Sequence, residues 1–268
     1  NEYYINSDWD NAIKMYSQIV AAEDKNLQAW NRLSTSYINK KDFDKAFEVL
    51  EIGTTKGDNY IMLYNLSCMY ARKNLKEKSL ITLRKAINAG YALSEQTLND
   101  DDFASMKNDK DFLSVIEEMK IAEFPCRYNE RLKEFEFWVG EWDVYTVMGN
   151  KAGDSKIERI LNDCVILENW TNSAGKKGKS FNMINTNTGD WEQTWVDDSG
   201  NTTEFKKGKR TNNALSFWAE GKDQNSQVQY QRLTFYKNDD GTVRQLGEVS
   251  TDGKEWQVSY DLLYKKKN

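Results

Sequence analysis

The chain has 268 residues, with 42 acidic and 37 basic side chains that give a net charge of -5, and it contains no histidine. Without histidine, Ser-His-Asp and Cys-His catalysis, histidine-bound zinc and histidine-bound haem are excluded. The negative charge gives no electrostatic footprint for a nucleic-acid partner. No apolar run approaches the about 20 residues of a membrane-spanning helix, so we expect no transmembrane segment.

Composition changes near the middle of the chain. Only three of the 15 glycines and two of the nine tryptophans precede residue 120. Glycine-poor stretches with apolar spacing of three and four predict helices, whereas glycine-punctuated aromatic runs predict strands. The single proline, Pro125, marks the change. We therefore predict an α+β chain with a helical domain at 1–120, a linker at 121–134 and a β domain at 135–268.

The helical half contains a repeat in which similar residues recur at one constant offset. The residues Trp30, Leu33, Ser34, Tyr37, Ala46, Leu50 and Gly53 are matched by Leu63, Leu66, Ser67, Tyr70, Ser79, Leu83 and Ala86. This pattern resembles the tetratricopeptide repeat, a helix pair of about 34 residues. The resemblance implies a groove that docks a partner protein or peptide. The aromatic residues expected to contact the partner are Trp30, Tyr37, Tyr64 and Tyr70.

Both ends of the repeat array are atypical. The second helix of the first unit begins near Asp10, so we expect that an N-terminal segment was trimmed or processed, as a signal peptide would be. Residues 100–113 resemble the shortened closing unit of such arrays and predict a cap. The acidic run 100–102 favours a helix start over a calcium site because the spaced ligands of a calcium loop are missing. We expect no metal site.

The second half alternates short aromatic or β-branched runs with turn residues. These runs predict about ten strands in sequential order, which favours an up-and-down antiparallel barrel or a sandwich. A closed barrel leaves no exposed sheet edge, and one of this size can enclose a small ligand.

This half contains a series of ordered motifs. They are a Gly-x-Trp at residues 140–142 within 135–143, followed by residues 162–170, 178–182, 191–197, 243–245 and 248–256. Together these motifs resemble an uncharacterised bacterial family of calycin-like barrels, similar to lipocalins and nitrobindin. The resemblance implies a ligand-binding barrel. It implies no haem cofactor for this chain, because nitrobindin-like haem binding needs a histidine ligand.

Strand alternation indicates which side chains share a face. It groups Cys164, Ile166, Glu168 and Trp170; then Trp191, Gln193, Trp195 and Asp197; then Arg244, Leu246, Glu248 and Ser250. Faces that combine aromatic with polar groups are typical of a ligand pocket. The candidate ligand contacts are Trp142, Glu168, Trp170, Gln193, Trp195, Arg232, Arg244 and Glu248.

Each candidate has an alternative role. Trp142 fits a plug at the closed end of the barrel, with Arg232 or Arg244 stacked on it. Glu168 and Glu248 become surface residues if the strand register slips by one residue. Cys164 is expected to be packed rather than reactive, because no cation is seen that would lower its pKa.

These patterns favour a non-enzymatic binding and scaffold protein, with a small, partly apolar ligand in the barrel and a partner on the repeats. The alternative is an enzyme that uses Glu168 with Glu248 or Asp197 as general acid and base, with Arg244 stabilising an anion. A third hypothesis is a structural adaptor with a packed barrel. The missing start favours the bacterial cell envelope, whereas unpaired cysteines suit the cytosol.

Overall fold

A computed structural model describes residues 2–222 and 225–267 of the chain. It divides into two compact units, Asn1–Pro125 and Cys126–Asn268. The first unit is helical, and the second contains a closed antiparallel barrel of ten strands within the described residues. The predicted α+β class is therefore confirmed.

The helical unit has eight α-helices within its described residues, with a 3-10 helix before the last. The helices are α1 Glu2–Ile5, α2 Trp9–Ala22, α3 Leu27–Asn39, α4 Phe43–Gly53, α5 Tyr60–Arg72, α6 Lys76–Asn88, α7 Ser94–Leu98, the 3-10 helix Asp101–Met106 and α8 Lys110–Glu123. The helix pairs follow the sequence repeat. The first and last residues of α3 and α5, and the first residues of α4 and α6, are separated by the repeat offset.

Small residues let the paired helices approach closely. Ser67 and Ser79 are fully buried between α5 and α6, and each hydroxyl donates to the other's backbone carbonyl at 2.9 Å. In the preceding pair, a Cβ added at Gly53 would lie 3.1 Å from Cβ of Trp30. The repeat positions therefore mark the helix contacts, since larger side chains there would separate the helices.

The acidic run 100–102 begins a helix, as predicted. The Asp100 carboxylate accepts a hydrogen bond of 2.9 Å from the Asp102 backbone N–H, and the 3-10 helix starts between them. α8 then buries Phe112, Val115, Ile116 and Met119 against the helical core. α8 runs to Glu123 and so extends into the segment that the sequence assigns to the linker.

Each barrel strand pairs with its neighbours in sequence, and β1 closes the barrel on β10. The topology is therefore up-and-down, and every pairing is antiparallel. The strands are β1 Gly140–Thr146, β2 Lys151–Ile160, β3 Val165–Asn172, β4 Lys177–Ile184, β5 Trp191–Asp197, β6 Thr202–Thr211, β7 Ala214–Lys222, β8 Val228–Lys237, β9 Val243–Ser250 and β10 Gln257–Lys266.

A 3-10 helix at Glu130–Trp138, here called the plug helix, closes one end of the barrel. Its Phe135 and Trp138 are fully buried and stack with ring centroids 4.9 Å apart. They pack with barrel side chains that include Phe235, at 4.8 and 4.5 Å. The β domain predicted from residue 135 therefore begins with a helical plug, and its first strand starts at Gly140.

Cys164, which is expected to be packed rather than reactive, is half-buried and is not a free thiol. Cys164 forms a disulfide with Cys126, and Cys68 is a buried free cysteine. The disulfide ties the chain just before the plug helix to the turn between β2 and β3, at the closed end of the barrel. The sequence leaves the pairing open because three cysteines allow several pairs and Cys126 lies 38 residues away.

Candidate functional site

The other end of the barrel holds a cavity of about 320 Å³. It lies where β3 and β5 end and β6, β8 and β10 begin, opposite the plug helix. Aromatic, amide and hydroxyl side chains line it together with one carboxyl group. The lining residues are Glu168, Trp170, Gln193, Trp195, Thr203, Phe205, Gln231, Gln245, Tyr260, Leu262 and Tyr264.

Two glycines keep large aromatic rings against the barrel wall. A Cβ added at Gly178 would lie 2.2 Å from Cη2 of Trp195, so this ring covers the glycine on the neighbouring strand. A Cβ added at Gly247 would likewise lie 2.3 Å from Cε1 of Tyr260. Because only glycine admits these rings so close to the backbone, they lie along the wall and leave the lumen open.

Glu168 is the centre of a hydrogen-bond network inside the barrel. Its side chain is 2% exposed, and it accepts hydrogen bonds from Ser155 at 2.8 Å and Ser180 at 3.0 Å. The network continues as Gln193 donates to Asn182 at 2.6 Å and Asn182 donates to Ser180 at 3.1 Å. Four neighbouring strands, β2 to β5, thus hold the carboxyl group in place.

The Tyr264 hydroxyl lies between Glu168 and Gln245. Its oxygen lies 2.7 Å from Oε1 of Gln245 and 3.2 Å from Oε1 of Glu168. A phenol has one proton to donate, so the shorter contact to Gln245 is favoured and the longer one gives Glu168 only a weak hydrogen bond. The shorter hydrogen bonds to the carboxyl group therefore come from the two serine hydroxyls.

Burial favours the protonated form of the Glu168 carboxyl group. Desolvation raises the pKa of the Glu168 carboxyl, and its hydrogen bonds from three hydroxyls only partly oppose this rise. Apart from Glu168, the lining residues of the described barrel include no Asp, Glu, Lys or Arg side chain. A buried carboxyl without a cation is stable mainly as the neutral acid.

This raised pKa predicts a pH-dependent stability. An unfolded glutamate loses its proton near pH 4.3, whereas the folded protein retains it to higher pH. Between the two pKa values the folded state binds more protons, so rising pH destabilises the fold by about 1.4 kcal/mol per pH unit. We expect Glu168→Gln to remove this loss, so that the variant gains stability relative to the wild type as pH rises.

Urea unfolding of both proteins between pH 4 and 8 measures this difference. Comparing the two proteins cancels the contributions of surface carboxylates, several of which have lowered pKa values. Parallel stability profiles over the whole range would show that Glu168 is ionised in the folded protein.

The structure brings together four of the eight candidate ligand contacts. Glu168, Trp170, Gln193 and Trp195 all line the cavity. Trp142 lies instead in the apolar core of the closed end, 1% exposed, where its Nε1 donates to the Trp138 carbonyl at 2.8 Å. It therefore has the alternative role expected for it, as part of the plug.

Arg232, Arg244 and Glu248 lie on the outer wall, so they do not line the cavity as predicted, and the face assigned to Arg244 and Glu248 from alternation is wrong. Arg232 forms a bidentate ion pair with Glu248 at 2.7 and 2.8 Å, and Arg244 forms one with Asp261 at 2.8 and 2.6 Å. The inner face of β9 instead carries the odd-numbered residues, among them Gln245.

The predicted stacking of an arginine on Trp142 is also absent from the described contacts. Arg232 lies over the Trp256 ring at 4.4 Å, and Arg244 lies over Tyr236 at 5.6 Å. Glu168 and Glu248 face opposite sides of the barrel wall, so the structure does not unite the proposed acid and base. The alternation was misread because β9 carries polar side chains on both faces.

The four predicted partner contacts of the helical unit divide into two pairs. Trp30 and Tyr64 are buried, with Trp30 donating to the Asp24 carbonyl at 2.8 Å and Tyr64 stacked on Tyr91 at 4.1 Å. Tyr37 and Tyr70 occupy equivalent repeat positions and are only half-buried. Only the second pair is accessible to a partner.

One group of potential metal ligands occurs among the described residues, formed by Cys68, Asp100 and Asp102. Asp100 accepts a hydrogen bond of 2.6 Å from the Tyr64 hydroxyl, and Asp102 pairs with Arg72 at 2.6 Å. Burial raises the pKa of the Cys68 thiol and so favours its protonated form. These contacts give the group a structural role in the helical core.

Sequence reasoning missed most of the residues that complete the cavity, above all those of β8 and β10. In β10 the residues Tyr260, Leu262 and Tyr264 alternate with others and give a usable signal, whereas the apolar residues of β8 occur at both odd and even positions. The missed lining residues are Thr203, Phe205, Gln231, Gln245, Tyr260, Leu262 and Tyr264, and the missed network residues are Ser155, Ser180 and Asn182.

None of the helices in the described part of the chain has the length and apolar character required to cross a membrane. Comparison of the sequence with protein-family models and with curated proteins finds no match.

Proposed function

We propose that the second unit is a calycin-like barrel that binds a small, partly apolar ligand without transforming it. The observation that carries this proposal is the pair of glycines, Gly178 and Gly247, under the rings of Trp195 and Tyr260. A barrel stabilised only as a packed core would gain by filling its lumen with side chains. Here the rings are held aside and a space of about 320 Å³ stays open, in the range of small-molecule sites.

The polar groups of the cavity favour binding over catalysis. Glu168 faces the lumen, whereas Glu248 is paired with Arg232 outside. Asp197 accepts hydrogen bonds from Ser199 and Asn201 in the turn after β5, so it serves that turn. A single buried acid among amides and rings suits the orientation of a ligand, since acid–base catalysis of hydrolysis commonly uses two such groups.

The helical unit extends the proposal as a tetratricopeptide-type scaffold. The equal offset of α3 and α5 supports the repeat assignment, and the half-buried pair Tyr37 and Tyr70 supports a role in docking a short peptide. Peptides selected on the full chain should lose affinity for the double variant Tyr37→Ala, Tyr70→Ala if these rings contact them.

The disulfide Cys126–Cys164 supports an inference about the cellular compartment of the protein. Disulfides persist in oxidising compartments and are rare in the reducing cytosol. Its presence therefore supports the bacterial cell envelope as the site of action, and it removes the argument for the cytosol that rested on unpaired cysteines.

Binding of the neutral apolar dye N-phenyl-1-naphthylamine tests the barrel proposal. We expect the full chain to bind the dye with a fluorescence increase. We expect Trp195→Ala to weaken binding about tenfold, because stacking on one ring contributes roughly 1 kcal/mol or more. Native mass spectrometry of the gently purified protein provides a second readout through any ligand retained from the cell.

Trp218→Ala is the matched control, since Trp218 lies on the outer wall opposite Arg232 in the register of β7 and β8. It should leave dye affinity unchanged. Equal losses in both variants, or no dye binding and no retained mass in the wild type, would contradict a ligand site in the barrel.

A further inference from the structure

The cavity contains an unusual combination of groups, which narrows the class of ligand. Glu168 is the one ionisable carboxyl in its lining, and the lining residues of the described barrel supply no cation to neutralise it. Trp195 and Tyr260 lie against the wall over their glycines. Their faces carry the negative side of the aromatic quadrupole, which attracts cations.

The hydrogen-bond count leaves room at the carboxyl for one further donor. A carboxylate offers about four acceptor positions. Ser155, Ser180 and Tyr264 contact Glu168 at 2.8, 3.0 and 3.2 Å, which accounts for three of them. Since the Glu168 side chain also lines the lumen, a ligand in the cavity is within reach of the remaining position.

We propose that the barrel selects ligands with a protonated amine joined to an apolar or aromatic body, the ammonium group pairing with Glu168. This inference rests on the proposed function of the barrel as a ligand site. The ammonium donates to the carboxylate, and the aromatic body lies along the rings of Trp195 and Tyr260. A charge-assisted hydrogen bond in this enclosed site is stronger than the neutral bond that an alcohol would make.

Binding is coupled to the release of a proton. The ligand ammonium R–NH₃⁺ enters while Glu168 is a neutral acid, and the carboxyl proton passes to solvent as the ion pair forms. Charge and atoms balance, because one cation enters and one proton leaves. The titratable groups that act on Glu168 are the Tyr260 and Tyr264 phenols, and burial raises the pKa of both, so they stay neutral below pH 9. Affinity for an amine therefore increases with pH until Glu168 ionises in the free protein.

Isothermal titration calorimetry with tryptamine and tryptophol tests the proposal on the full chain. The two probes share an indole ring and an ethyl chain, and they differ in carrying an ammonium or a hydroxyl group. At pH 7 we expect tryptamine to bind at least about tenfold more tightly, which corresponds to the advantage of one charge-assisted hydrogen bond. Titrations in phosphate and in Tris should reveal up to one proton released per tryptamine and none per tryptophol.

The variant Glu168→Gln retains the size of the side chain and one acceptor oxygen but cannot ionise. It should bind tryptamine at least about tenfold more weakly than the wild type, release no proton and bind tryptophol unchanged. Glu248→Gln, on the outer wall, is the matched control and should change neither ligand.

Three results are decisive. If tryptophol binds as tightly as tryptamine, or if Glu168→Gln does not weaken tryptamine binding, the selection for amines is overturned but the barrel remains a ligand site. Failure of both indoles and of N-phenyl-1-naphthylamine to bind overturns the ligand site itself and the selectivity with it.

Discussion

Trp138→Ala is expected to lower the free energy of unfolding of the barrel by about 4 kcal/mol. The side chain is fully buried at the closed end, where its ring centroid lies 4.9 Å from Phe135 and 4.5 Å from Phe235. Alanine removes this contact area and leaves a cavity that the ten-stranded wall cannot collapse to fill, because each strand is held by two neighbours. Urea unfolding followed by far-UV circular dichroism measures the loss.

Trp138→Phe separates the apolar contribution of the ring from its N–H group. Among the described residues, Trp138 Nε1 is a buried donor without a hydrogen-bond partner. Phenylalanine keeps a six-membered ring in the stack and removes this unsatisfied group, so we expect less than half the loss caused by alanine. Equal losses in both variants would show that the plug is not held by ring stacking.

The Trp138→Ala substitution should also disturb the hydrogen-bond network around Glu168 in the cavity. Trp138 packs against Tyr264 with ring centroids 5.9 Å apart, and the Tyr264 hydroxyl contacts Glu168 at 3.2 Å. Through Tyr264, the plug helix therefore helps to position the hydrogen-bond network around Glu168. Weaker tryptamine binding by Trp138→Ala, with milder weakening in Trp138→Phe, would follow from this connection.

The order and type of the elements could be predicted from the sequence because they depend on local signals. The offset between Leu33 and Leu66 equals the offset between the first residues of α3 and α5. The turn residues that separate the aromatic runs predict about ten strands, and the barrel has ten among its described residues. Each of these signals is found in the segment of chain whose secondary structure it predicts.

The plug helix and the disulfide could not be predicted in the same way. Residues 135–138 carry large aromatic side chains that fit a strand as well as a buried helix, and only the barrel end decides between them. The pairing of Cys126 with Cys164 depends on where the turn after β2 lies in space. Both are consequences of barrel closure rather than of local propensity.

Four of the eleven residues that line the cavity were predicted, because one face of β3 and one face of β5 combine tryptophan with a polar side chain. On β9 the charges of Arg244 and Glu248 resemble pocket groups in the sequence, but partners on adjacent strands satisfy them outside. The small residue Gly247 gives no sign of the Tyr260 ring that covers it. Cross-strand contacts of this kind join residues that are distant in sequence, so alternation within one strand does not reveal them.

Gly178→Val is expected to reduce the affinity for N-phenyl-1-naphthylamine by about a hundredfold or more, a loss of roughly 3 kcal/mol in binding free energy. A Cβ at this position would lie 2.2 and 2.3 Å from two carbons of the Trp195 ring, distances that no rearrangement of the valine can relieve. The ring must therefore leave the wall and enter the lumen of about 320 Å³, where it takes the place of a ligand.

Gly221→Val is the matched control for this substitution. Gly221 lies in β7, and a Cβ added there would meet no atom of the described residues within 4 Å. Valine favours strands, so this variant should fold and bind the dye like the wild type, whereas Gly178→Val should also lose about 1–3 kcal/mol of stability through overpacking. Full dye binding by a folded Gly178→Val protein would mean that the ring does not limit the lumen. The glycine would then serve strand packing alone, and the open cavity would lose its main support as a ligand site.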